Sequence, residues 1–128
     1  MNIVDENVAD EECALLAKRR IRVHKIGKGI GRDGMGDDEI VTLLHQQDRP
    51  TFFTLDADFL DRRLVHRGYC LVYLDVSSFQ VANYVRRTLR HPALNTKAKR
   101  MGQIVHIEPD GIKLWRISAV SEQHLRWK

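Results

Sequence analysis

Cysteine, proline and aromatic side chains are scarce in this sequence: two Cys, three Pro, and 7% Phe, Trp and Tyr together. Cys13 and Cys70 form neither a closely spaced disulfide framework nor a metal-binding pair, which predicts a reduced, cytoplasmic protein. No apolar run approaches the roughly 18 residues that a membrane helix needs, so no membrane partner is expected. The opening Met-Asn-Ile-Val-Asp-Glu meets two acids at once and does not read as a secretory signal. There is no Walker phosphate loop. His24, His45, His66, His91, His106 and His124 show no metal-ligand spacing.

What remains is an ordinary globular composition: 128 residues, 43% apolar and 30% charged. A chain of this length suits one domain spanning residues 1–128 and can bury about two-thirds of its surface on folding. The net charge of +4 is unevenly spread. Residues 1–59 carry 8 basic and 12 acidic side chains, whereas residues 60–128 carry 13 and 5.

Strand-like and helix-like stretches alternate without linker or repeat. Residues 2–4 form a short apolar start. The pattern of Cys13, Leu16 and Ala17 predicts a helix over 9–20, with Asp10, Glu11 and Glu12 at its positive end. A strand is expected at 21–26 and a glycine-rich loop at 27–36. Asp37 or Asp38 then caps a helix with Ile40, Leu43 and Leu44 inward. Residues 51–55 read as a strand and 59–65 as a short helix. The apolar run 69–76 reads as a strand buried on both faces. Ser77 or Ser78 opens a helix reaching about Arg90, with Ala82, Val85 and Leu89 inward. Two strands, 103–108 and 112–118, flank the turn Pro109-Asp110-Gly111.

Repeated β-α units predict an α/β domain: a mainly parallel central sheet between helices, finished by a C-terminal β-hairpin. Such sheets bind ligands beyond the carboxyl ends of their strands. Asp5 follows the first strand, Asp56 follows the third, and Asp38 begins the helix after the second, so all three fall on one edge. Carboxylates gathered there repel one another, which calls for protonation, basic partners or a bound cation, and hard oxygen ligands suit Mg²⁺ or Mn²⁺. A metal held so polarises a phosphodiester and orients a water.

Asp5-Glu6-Asn7-Val8, Asp38-Glu39-Ile40 and Thr54-Leu55-Asp56-Ala57-Asp58-Phe59 resemble, in order and spacing, the PIN-like family of small proteins often encoded beside an antitoxin-like partner. The resemblance covers about residues 1–76. It implies a three-layer α/β/α fold and a ribonuclease that uses Mg²⁺ or Mn²⁺, plausible as the toxin of a toxin–antitoxin pair. Asp5, Asp38 and Asp56 would be metal ligands, with Asp58 a fourth acid and Glu39 a rival to Asp38. Thr54 would orient a carboxylate or a water. It further implies an RNA substrate, a small antitoxin protein and a homodimer as partners. The last two acids stand closer together than the family pattern has them.

An RNA substrate calls for cations to meet phosphates, and Arg62, Arg63 and Arg67 are the candidates nearest the acidic motif. Arg86, Arg87 and Arg90 form a second group, and Lys97, Lys99 and Arg100 a third. Aromatics are few and mostly confined to strand-like runs.

Gly29-Ile-Gly31-Arg-Asp-Gly34 also fits the dinucleotide fingerprint, with Asp56 at the spacing of a ribose-binding acid. Three further residues separate Gly34 from the helix signal, whereas that site needs a turn running directly into a helix. A phosphoacceptor receiver shares the acidic pair and the third-strand Asp but requires a Lys-Pro that is missing after the fifth strand. A catalytically inactive binding or regulatory module on the PIN-like fold is the remaining alternative.

Overall fold

The computed structural model of the chain describes residues 1–128. In chain order the strands are β1 (Asn2–Val4), β2 (His24–Lys25), β3 (Thr51–Thr54), β4 (Cys70–Leu74), β5 (Gln103–Glu108), β6 (Gly111–Arg116) and β7 (Gln123–Leu125). The helices are α1 (Asp10–Lys18), α2 (Asp37–His45), α3 (Val81–Arg90) and α4 (Lys97–Arg100). One sheet holds all seven strands in the order β2-β1-β3-β4-β5-β6-β7. The first five are parallel; β6 and β7 add on antiparallel. The hairpin of β5 and β6 turns at Pro109 and Asp110, pairing Glu108 with Gly111.

Alternation along the strands builds two cores. Val4, Phe53, Val72 and Val105 pack with Leu16 of α1 and Val81, Tyr84 and Val85 of α3 on one face. Ile3, Phe52, Leu71 and Ile104, each one residue earlier, pack with Ile40 and Leu44 of α2 and with Phe59 on the other. The result is a sheet between two helical layers, as the β-α alternation predicts. At 25 cal/mol per Å² of apolar surface, each fully buried Leu, Ile or Phe contributes about 1.5–3 kcal/mol. No helix is long and apolar enough to cross a membrane.

Expected and observed elements differ at several points. The strand expected over 21–26 pairs with β1 only at His24 and Lys25, because β1 itself offers three residues. The helix expected over 59–65 is two single 3₁₀ turns, Ala57–Phe59 and Arg62–Leu64, each opened by an aspartate whose side chain accepts the backbone N–H two residues on. Ser77 caps a 3₁₀ turn, Ser78–Gln80, and α3 proper begins at Val81.

The path of α3 is unusual. α1 and α3 lie on the same face, yet β1 to β2 runs toward one edge of the sheet and β4 to β5 toward the other. Two crossovers over one face in opposite directions have opposite hands, and the right-handed form accounts for about 98% of such connections. The β2-α2-β3 crossover, on the opposite face and running away from β2, shares the hand of β1-α1-β2, so β4-α3-β5 is the exception. Its consequence is that α3 packs beside α1.

Candidate metal centre

The strand order reverses between β1 and β3, since the chain leaves β1 toward β2 and leaves β3 toward β4. In open α/β sheets the crevice at such a point, beyond the carboxyl ends, is where ligands bind. Asp5 and Asp56 both follow the strands that flank it.

Carboxylate oxygens of Asp37, Asp56 and Asp58 all lie within 4.8 Å of one another there. Asp56 leaves β3 and, as cap of the following 3₁₀ turn, accepts the N–H of Asp58 through Oδ1 at 2.9 Å. That local bond sets the two acids, two residues apart, side by side. Asp37 comes from the first turn of α2. Gly36 occupies the N-cap position of that helix, and the Glu39 carboxylate reaches back to the Gly36 N–H at 3.2 Å.

Asp5 stands behind the three, 5% exposed. Its Oδ2 accepts the Thr54 hydroxyl at 2.6 Å and its Oδ1 accepts the Glu6 N–H at 2.8 Å. Thr54, wholly buried, also accepts the Asp56 N–H at 3.0 Å, so one hydroxyl ties Asp5 to the start of the acidic turn. Burial pushes the Asp5 carboxyl above the usual carboxylate range, the Thr54 and Glu6 bonds oppose this, and the charges of Asp56 and Glu6 add to it. Asp37 is raised as well, first by desolvation and then by Asp56, Asp58, Asp5 and Asp38.

None of Asp5, Asp37, Asp38, Asp56 and Asp58 takes part in an ion pair, although eight ion pairs form elsewhere. Two further acids nearby are engaged. Glu6 accepts the Gly34 N–H at 3.0 Å, and Glu39 pairs with Arg32.

Of the residues that the sequence points to, the structure brings Asp56 and Asp58 together, with Asp5 and Thr54 directly behind. The α2 acid in the group is Asp37 rather than Asp38, whose side chain lies one helical step, about 100°, around the axis. The signal was Gly36 followed three residues later by Glu39: with the cap at Gly36, Asp37 is the first helical residue.

The three candidate arginines do not form one patch. The Arg63 guanidinium lies on Asp61 at 2.8 Å, and Arg62 lies 3.8 Å above the Trp115 ring. Arg67 is exposed and makes no ion pair. The glycine loop does not run into a helix as a dinucleotide turn does. Gly27, Gly31 and Gly34 have φ of +91°, +60° and +75°, and the loop closes through an isolated bridge between Ile26 and Ile30. A Cβ on Gly27 would stand 2.0 Å from the Asp33 carboxylate. The loop thus folds back beside the acidic edge, and its Gly34 N–H goes to Glu6.

Comparison of the chain with protein-family models, with curated proteins and with solved structures finds no match.

Proposed function

We propose that this protein is a PIN-like ribonuclease dependent on Mg²⁺ or Mn²⁺, with Asp37, Asp56, Asp58 and Asp5 as the metal-holding acids. One observation carries the reading: these carboxylates crowd a switch-point crevice with no basic side chain to balance them. A bound cation would offset this repulsion and desolvation, and an all-carboxylate donor set suits the hard ions Mg²⁺ and Mn²⁺ rather than softer metals. Bound there, such an ion would polarise a phosphodiester and stabilise the departing oxygen.

The chain's own groups divide the remaining work. Asp37 and Asp58 are exposed and meet whatever enters from solvent, while Asp56 is half-buried between them and Thr54. Thr54 fixes Asp5, and the Asp56–Asp58 turn fixes the spacing of its two acids, so the site is organised by bonds that exist before any ligand arrives. If the protein is the toxin of a toxin–antitoxin pair, the antitoxin would act here by bringing cations to carboxylates that have none.

Cleavage of a mixed RNA pool in Mn²⁺ or Mg²⁺ tests the reading. Asp56→Asn keeps the cap of the 3₁₀ turn and removes a ligand charge. It is expected to cut metal-dependent cleavage roughly hundredfold or more, as losses around metal sites do. Asp37→Asn should share the loss, and Asp38→Asn should stay near wild type. Absence of cleavage by folded wild-type protein at saturating metal, or equal cleavage by wild type and Asp56→Asn, would overturn it.

A further inference from the structure

Two long stretches of this chain contain no acidic residue. Residues 14–32 carry seven Lys and Arg, and residues 76–107 carry six. They come together in space because α3 takes the rare-handed crossover and packs on α1, whose exposed end and following turn supply Lys18, Arg19 and Arg20.

A groove between the two helices is lined by Leu15, Arg19, Ala82, Asn83 and Arg86, with one arginine from the end of α1 and one from α3. The end of the chain extends this face. Trp127 packs on Tyr84 of α3, ring centroids 5.7 Å apart, and the Arg126 carbonyl meets His91 Nε2 at 2.7 Å. Arg87 is laid flat against both aromatics, 4.4 Å from the Trp127 ring and 5.0 Å from Tyr84. A guanidinium seated over aromatic rings is attracted to their faces and keeps its N–H edges for a ligand.

Arg19, Arg86, Arg87, Arg90 and Arg126 make no ion pair with any acid of the chain. The acid nearest the groove along α1, Glu12, is turned inward and buried, where it accepts the Ala82 N–H. Glu11, at the start of α1, is exposed.

We propose that this face of α1 and α3, with the C-terminal residues packed on it, holds the phosphate backbone of RNA. Arginine forks match phosphate oxygens, and a row of them without counter-charges gains by releasing the counterions of a polyanion. The apolar lining of the groove is confined to Leu15 and Ala82, too little to seat a protein helix. The choice of RNA rests on the proposed nuclease function, whereas the position of the surface does not.

The test is fluorescence anisotropy with a labelled hairpin RNA in EDTA, where metal-dependent cleavage is silent. Arg86→Glu/Arg90→Glu is compared with wild type across a salt series, and thermal melting verifies that both are folded. The double variant is expected to bind about tenfold or more weakly near 100 mM salt. Its log K against log salt should be flatter by roughly 1.4 to 1.8 for two lost phosphate contacts. Arg87→Gln, which removes the charge and the guanidinium fork but keeps a polar side chain, should weaken binding in the same direction. Equal affinity and equal slope in wild type and double variant would overturn the proposal, as would binding lost only with Arg62→Glu/Arg63→Glu. So would affinity for polyglutamate in place of RNA, which would make this an acidic-protein surface. Wild-type RNA cleavage with α3 variants that bind normally would sink this inference and leave the nuclease standing; binding through α3 without cleavage would do the reverse.

Discussion

Thr54 illustrates how much rests on a single hydroxyl. A strand favours threonine for its β-branch, and nothing in the run Thr-Phe-Phe-Thr distinguishes a packing residue from a positioning one. In the folded chain the hydroxyl donates to Asp5 and accepts from the Asp56 amide, both just beyond the carboxyl ends of β1 and β3. Thr54→Val preserves shape and deletes both bonds, leaving a buried carboxylate and a half-buried N–H each short of a partner. The expected cost is about 1–3 kcal/mol, read as a fall in the urea midpoint at constant slope. Thr54→Ser keeps the hydroxyl and should cost under about 1.5 kcal/mol. A Val variant as stable as wild type would mean that the hydroxyl does not hold Asp5.

At the scale of elements, local signals located most of what the site needs. The termini of β1 and β5, the Pro-Asp-Gly turn and the acids after β1 and β3 all follow from residue patterns that depend on nearest neighbours. The misses follow from longer-range causes. β7 has no apolar alternation of its own and exists because β6 offers an unpaired edge. The four-residue α4 is Lys-Ala-Lys-Arg, with no periodicity to detect; its Arg100 is buried by tertiary contacts, donating to Thr51 Oγ1 and the Leu94 carbonyl. Asp37 stands with Asp56 and Asp58 where Asp38 was expected, because the helix is capped at Gly36 and Asp37 is its first residue. The face taken by α3 was not legible either, since the handedness rule argues for the opposite face. What holds α3 against α1 is partly Glu12, a buried carboxylate whose Oε1 accepts the Ala82 N–H at 2.9 Å. Replacing it with Ala leaves an α3 amide without a partner and opens a gap between the helices. We expect Glu12→Ala to cost about 1–3 kcal/mol and to speed hydrogen exchange at Ala82, and Glu12→Gln, which keeps an acceptor, to cost markedly less. Unchanged exchange in the Ala variant would remove this contact from the account of α3.

Charge is segregated over the whole molecule, with uncompensated acids at the carboxyl edge and uncompensated arginines along α1 and α3. This arrangement ties stability to pH and metal. Asp5 and Asp37 are raised in the folded state, so the fold binds their protons more tightly than the unfolded chain does. Their contribution is therefore greatest below the unfolded carboxylate pKa, near 4, and is lost as pH rises through the folded values. Asp10 and Asp61 run the other way. They are lowered by Lys28 and Lys25 and by Arg63, but Lys28, Asp10 and Arg63 are exposed, so solvent and salt weaken both interactions. In EDTA, then, the acidic edge should make the protein less stable at pH 7 than a charge-neutral edge would, and Asp37→Asn should melt at or above the wild-type temperature. Mn²⁺ reverses the ranking if it binds there. At 100 times its dissociation constant it adds about 2.7 kcal/mol to wild type, a rise of about 10 °C, and much less to Asp37→Asn. Lowering the pH toward 4 should erase the Mn²⁺ effect as protons compete for the same oxygens. Thermal melts of the two proteins from pH 4 to 8, with EDTA and with Mn²⁺, measure all three. A wild-type melting temperature that ignores Mn²⁺ at pH 7 to 8 would mean that the edge tolerates its own repulsion, and the metal centre would have to be abandoned.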